Sequence, residues 1–179
     1  MTSIQATLAR ARQTGDSAAR YSQAQFNQFI SAHERFVRRE PKGMRAILRF
    51  VDASGIDFSR RLMTEADLTG GRLRGARMIL ANFERANLFC ADLTDVDARR
   101  ADFLRADLRG VALRSARLAG ARMDEADLRA AVLARADGKA GFRLVGRAGT
   151  AGEDGGVSYA VDFSNCSMKG ASLAKSKLR

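Results

Sequence analysis

The sequence predicts an all-β solenoid that begins with an α-helical cap. Three observations predict it. Large apolar residues recur every five positions without a slip, as in "ADFLRADLRGVALRSARLAGARMDEADLRAAVL", residues 101–133. A small or compact residue stands two positions before nearly every one of them. Ahead of the repeat, apolar residues fall at helical spacing and a Glu-Pro-Lys-Gly turn follows.

A period of five matches neither the helical repeat of about 3.6 nor the two-residue alternation of an ordinary strand. It fits a stacked repeat, in which no unit can bury its apolar residues alone. Residues 1–17 read as a disordered basic tail, with Arg10 and Arg12 and no apolar block of the signal-peptide type. Residues 18–45 read as an amphipathic capping helix and turn. Over 18–39, Phe26, Phe29, Ile30, Phe36 and Val37 share one face, Ser17 stands at the capping position, and Glu40–Gly43 ends the helix. A bare solenoid end exposes core and strand edges, so this helix is expected to lie over the first coil. His33, the single histidine, falls within it and reads as structural, having no nucleophile or acid motif nearby.

Residues 46–137 form the repeat body. The centres are Leu48, Phe58, Met63, Leu68, Leu73, Met78, Phe83, Leu88, Leu93, Phe103, Leu108, Leu113, Leu118, Met123, Leu128 and Leu133, with Ala53 and Ala98 as small exceptions. Two positions earlier stand residues such as Ala46, Val51, Ile56, Ala66 and Gly71; Arg61 is the misfit. Alternate residues of an extended segment face opposite sides, so the small residue and the centre share the interior. The position between them is often Asp or Asn, which points outward and can bond backbone at a corner. Residues 138–160, "GKAGFRLVGRAGTAGEDGGVSYA", are a Gly-rich inserted loop. The phase resumes over 161–179 as a final coil with centres Phe163, Met168, Leu173 and Leu178.

The run "ANFER ANLFC ADLTD VDARR ADFLR ADLRG" resembles the bacterial pentapeptide-repeat family. "HERFVRREPKGMRAIL" is similar to a lead-in that precedes some of its members. The resemblance implies a right-handed quadrilateral β-helix, with one unit per side and four per coil. Residues twenty apart would then stack. Glu65, Arg85, Arg105 and Glu125 would form one outer ladder, Arg77, Asp97 and Arg117 a second, and Asp67, Asn87, Asp107 and Asp127 an acidic third. Their expected role is to solvate the walls and hold register.

The formal charge is +11, which raises a nucleic-acid reading. The repeat body at 46–137 is close to neutral, with sixteen basic and fourteen acidic groups, so the excess sits at the two ends. No P-loop, nucleophile elbow or zinc-protease motif occurs, so no enzyme, catalytic residue, cofactor or metal is expected. Cys90 should face outward and Cys166 inward; both read as free thiols. No apolar run reaches membrane-span length, and a cytoplasmic location is expected.

The first functional expectation is a non-catalytic scaffold or adaptor for an unknown protein partner. Ile79, Leu80, Phe89 and Leu104 point outward, and with Arg143 and Arg147 of the loop they are candidates for its contact surface. The N-terminal helix or the loop could instead cover Ile79, Leu80 and Phe89. Arg143 and Arg147, with Asn165–Gly170, resemble the cyclic-di-GMP signature of PilZ domains, but only nine residues remain after Gly170, too few for that barrel. The family resemblance supplies an alternative: a DNA mimic that modulates a type II topoisomerase. The short acidic ladder, broken by Asn87, argues against it. Weak binding of nucleic acid or an anionic surface by the basic ends is the third expectation. The repeat runs to Leu178 with no capping helix, which leaves three expectations open: a homodimer through that last coil, another protein that covers it, or a chain that is part of a longer solenoid.

Overall fold

A computed structural model describes residues 21–131 and 161–174. The predicted basic tail at 1–17 and the inserted loop at 138–160 lie outside the described residues. So do Arg143, Arg147 and the centres Leu133 and Leu178.

Helix α1 spans Gln23–Val37. Ser22, not Ser17, caps it. The Ser22 hydroxyl accepts the Gln25 N–H at 3.3 Å, and the Gln25 side-chain oxygen accepts the Ser22 N–H at 2.8 Å. That reciprocal box needs Gln or Glu three residues after the cap, which Ser22 has and Ser17 lacks. The buried face is Phe26, Phe29, Ile30, Ala32 and His33. Phe36, expected on that face, is 37% exposed. It lies in the last turn, where the chain doubles back so closely that a Cβ on Gly43 would sit 2.4 Å from the Phe36 nitrogen. Its ring stacks on His33 at 5.9 Å instead of entering the core.

After α1 the chain winds. Parallel bridges join residues twenty apart, as in Asp67↔Asn87, Asn87↔Asp107 and Asp107↔Asp127. Twenty residues in units of five make four units per coil. Wall one passes through residues 47, 67, 87, 107 and 127, wall two through 52, 72, 92 and 112, wall three through 57, 77, 97 and 117, and wall four through 62, 82, 102 and 122. The last described coil joins by Arg117↔Asp162, Arg122↔Ser167 and Asp127↔Ser172. That offset of forty-five is still a multiple of five, so the inward and outward positions keep their phase.

Nearly every described unit turns its corner with an i→i+3 bond, such as Ala86 N–H to Phe83 O at 3.0 Å. The third residue of the turn takes positive φ, 54° at Arg85 and 56° at Arg105. Type II turns need this conformation. It costs a non-glycine residue about 1–2 kcal/mol. The bond from the strained residue to the next coil offsets it, Arg85 N–H reaching Leu104 O at 2.8 Å. The outward Asp and Asn side chains hold the same corners. Asp52, Asp57, Asn82, Asp92 and Asp102 each accept the N–H two residues on, at 2.8–3.0 Å.

The centres fill the rod. Phe58, Phe83 and Phe103 are at most 1% exposed, and their rings meet in series, Phe58 to Phe83 at 6.2 Å and Phe83 to Phe103 at 5.4 Å. Ala53 and Ala98 each precede a Phe centre in their own coil, so a small residue makes room for a large one. The final coil is different. Phe163 and Met168 are only partly buried, and Leu173, expected in the core, is 44% exposed. Among the described residues no further coil stacks on this one, so its centres are covered from one side only.

α1 lies on the first coil. Phe26 packs edge-on against Phe58 at 5.7 Å. The His33 Nδ1 accepts the Ala46 N–H at 3.0 Å. Gln23 accepts the Asp57 N–H at 2.8 Å and donates to its carbonyl at 3.1 Å. Arg61, the misfit in the repeat, is explained here: its Nε and Nη2 donate to the two Glu34 oxygens at 2.8 and 2.9 Å. At this place in the first coil the side chain reaches α1 instead of filling the interior.

Candidate interaction surface

The stacking that builds the rod also sets its surface chemistry. The outward side chain of each unit lies over its equivalent one coil away, about 4.8 Å off. On wall one the acidic ladder does not stand free. Asp67 pairs with Arg49 at 2.6 Å, Asp107 with Arg109 at 2.6 Å and Asp127 with Arg129 at 2.6 Å. Asn87 separates the first from the others. Burial alone pushes the Asp67 carboxyl up, but the Thr69 hydroxyl and amide and the Arg49 guanidinium outweigh it and hold the group below the usual carboxylate range. The Arg129 fork holds Asp127 low against a smaller effect of burial.

Wall three alternates in sign. Arg77 lies 3.9 Å from Asp57, and Asp97 takes a bidentate Arg99 at 2.8 Å and Arg117 at 3.5 Å. For Asp97 burial again raises the pKa, and Arg99 and Arg117 bring the net shift down. On the ladder beside wall four, Arg105 and Glu125 pair at 2.7 Å. Each wall with carboxylates thus carries its own cations, and none presents a continuous field of one sign.

The predicted contact residues do not come together. Ile79, half-buried, and Leu80, 40% exposed, sit on wall three and at its corner with wall four. Phe89, 40% exposed, lies on wall one under the Arg109 guanidinium, 5.3 Å from the ring centre. Leu104, half-buried, is on wall four. The contacts of α1 fall on the first coil, so α1 is not the cover expected for Ile79, Leu80 or Phe89. Sequence reasoning missed Phe50, 73% exposed, whose ring lies over Gly70 so that a Cβ there would meet it at 2.5 Å. Met44 and Ile47, each 39% exposed, also escaped it. The available signal for Phe50 was its place in the unit, one before the small residue, where the turn points the side chain out.

Corner residues share a habit. The Cys90 sulfur lies over Gly110, 2.9 Å from where its Cβ would be, and the Arg100 stem lies over Gly120 at 3.3 Å. The corner between walls three and four carries Arg60, Leu80, Arg100, Gly120 and Asn165, all with positive φ. It holds no carboxylate, and neither Arg60 nor Arg100 forms an ion pair among the described residues.

No group of three or more His, Cys, Asp or Glu among the described residues is placed to hold a metal ion. Cys90 is exposed, while Cys166 is partly buried and donates its S–H to the Leu118 carbonyl at 2.8 Å. Burial pushes the Cys166 thiol pKa up, which keeps it protonated and inert. No described helix is long and apolar enough to cross a membrane.

Four short units per coil, a packed interior and self-paired walls define a β-helical repeat scaffold. Residues 44–78, 72–103 and 106–137 match the Pentapeptide repeats family, in eight copies, and the chain belongs to that family, whose members are right-handed β-helices and generally non-catalytic interaction proteins. No curated protein matches the chain. Among solved structures it is similar to a pentapeptide repeat protein of the Arabidopsis thaliana thylakoid lumen, at 24% identity over 72% of this chain and 68% of that one, TM-score 0.43. It is also similar to Rfr23 of the cyanobacterium Cyanothece 51142, at 20% identity over 69% and 63%, TM-score 0.42. A third is QnrB1, a plasmid-mediated fluoroquinolone resistance protein, at 17% identity over 73% and 65%, TM-score 0.39. The chain spans less than two thirds of the latter two. At such identities the likeness concerns the fold alone.

Proposed function

We propose that the protein is a non-catalytic scaffold for protein–protein contact: a rigid rod closed at its N-terminal end by α1, presenting flat walls to a partner. The observation that carries this reading is the internal pairing of the walls. A duplex mimic needs a run of unpaired carboxylates standing in for phosphates, and here Asp67, Asp107 and Asp127 each hold an arginine within 2.6 Å. A nucleic-acid binder needs a continuous positive stripe. Wall three alternates instead. Mixed walls of fixed geometry suit a protein surface of complementary pattern.

A second copy is a further partner we propose, joined through the last coil. The partly buried Phe163 and Met168 and the exposed Leu173 support it. Sedimentation at two concentrations tests this: the wild type should sediment as a dimer and Leu173→Asp as a monomer. A wild-type monomer overturns it.

The scaffold reading is tested by affinity capture with the tagged full chain from lysate of its own cells, with and without nuclease, at low and moderate salt. A protein that stays bound through nuclease and salt supports it. Binding that disappears with either transfers the activity to the basic ends. Retention of a type II topoisomerase would establish the alternative reading.

A further inference from the structure

We propose that the corner between walls three and four is a docking rail for an amphipathic helix of a partner protein, one that carries carboxylates two turns apart with apolar residues between them. The proposal rests on the scaffold reading and names the surface and the partner chemistry.

Most guanidiniums on the rod pair with a carboxylate. Arg45 and Arg114 form no ion pair among the described residues, and at this corner two more stand unpaired, one on each side of an apolar residue. Arg60 and Arg100 are exposed and lack a carboxylate partner, although Arg99 next to Arg100 has Asp97. Between them, one coil from each, sits Leu80, 40% exposed, with Ile79 half-buried at its side. The order along the rod is cation, apolar, cation. The coil spacing places Arg60 and Arg100 about 10 Å apart. The next residue along the line is Gly120, over which the Arg100 stem lies. Gly120 adds no side chain of its own to that end of the rail, and Asn165 follows it one coil on.

On an α-helix, residues seven apart lie on one face about 10.5 Å apart, and residues three and four along fall between them. A segment of pattern Glu-x-x-Leu-Leu-x-x-Glu thus matches the rail in spacing, charge and polarity when it lies along the rod axis. Arginine suits this task because its planar fork can take each carboxylate in a bidentate pair. Nucleic acid fits less well. Its phosphates would straddle an apolar Leu80 and leave it unpartnered.

The test uses the full chain and an Ala-rich, labelled helical peptide of about 18 residues carrying that pattern, long enough to hold helix in solution. Fluorescence anisotropy should show saturable binding. It should weaken about tenfold for Arg60→Glu/Arg100→Glu and for Leu80→Ser. It should weaken likewise for a peptide with its two Glu moved to one turn apart. Circular dichroism confirms that the variants remain folded. No binding by the wild-type chain, or equal binding by the charge-reversed variant, overturns the proposal. Binding of a labelled DNA duplex that competes with the peptide would assign the corner to nucleic acid instead and also overturns it. The affinity capture is repeated in parallel with the charge-reversed chain. A protein retained equally by both chains leaves the scaffold reading standing while the rail falls.

Discussion

The two ends of the rod carry the same kind of unit and bury it to different degrees. In the first coil Leu48 and Phe58 are at most 1% exposed, with α1 packed on that coil through Phe26 against Phe58. In the last described coil Phe163 and Met168 are only partly buried and Leu173 is 44% exposed. Nothing in the unit itself separates Leu173 from Leu48: both follow a small residue and an outward one. The difference is the neighbour. Burial in a solenoid belongs to the stack, and a residue at the same place in the repeat contributes according to what lies above and below it.

The comparison can be broken in the middle. Leu108 lies between two coils and is 1% exposed, so Leu108→Lys should abolish the cooperative melt by circular dichroism, since a charge has no partner there. Leu173→Lys should keep a cooperative melt, its cost confined to the contact between copies. Equal effects would show that the interior is not a shared core. The next largest effect is at the covered end. Phe26→Ala should cost about 3–5 kcal/mol, because the cavity would open between helix and coil. Hydrogen exchange should then rise first in the first coil.

Acid sharpens the contrast further. His33 is fully buried, and desolvation holds its pKa below the ordinary value, aided by the Arg45 charge and opposed by Glu34 and the Met63 and Thr64 backbone. Folding thus favours the neutral ring, whose Nδ1 accepts from Ala46. The corresponding stability is complete above the unfolded value of about 6.5 and is lost as pH falls from there through the lower folded value. The melting temperature should fall as the pH drops below about 6.5, with exchange rising at α1 and the first coil. His33→Gln, which cannot titrate, should flatten that slope; an unchanged slope would place the titration elsewhere. The depressed Asp57, Asp67 and Asp97 act in the same direction but at more acidic pH, through and below the carboxylate range.

Smaller effects belong to the ion pairs. Arg61→Ala restores the repeat pattern yet strands Glu34, and should cost about 1 kcal/mol in chemical denaturation rather than stabilise the rod. Arg105→Ala and Glu125→Ala, on an open wall, should leave the melting temperature unchanged within error, alone or combined.

Much of this architecture is written in the chain. The five-residue period, the inward pairing of small residue and centre, and the outward Asp and Asn that cap each corner all follow from alternation along an extended unit. The resumption of phase at Val161 was equally legible, because only a multiple of five keeps inside residues inside. The start of α1 was legible in principle, from Ser22 and Gln25, but a competing serine stood at 17. Other features could not be read locally. Arg61 looks like an error until Glu34 is seen across from it. Phe36 has a core residue's chemistry and an exposed position, because the return of the chain at Gly43 sets where the helix ends against the coil.

The surface was the least legible part. Ile79, Leu80, Phe89 and Leu104 share only their outward phase in the sequence, and the winding scatters them over three walls. The acidic ladder of Asp67, Asp107 and Asp127 follows from stacking, yet its neutralisation depends on rotamers of Arg49, Arg109 and Arg129. By itself the sequence determined the inside of each unit, because burial of an apolar side chain every fifth residue admits one phase. The tertiary structure decided how fully each unit is covered and which charges find partners. Both depend on contacts between residues twenty or more positions apart, and no local pattern encodes them.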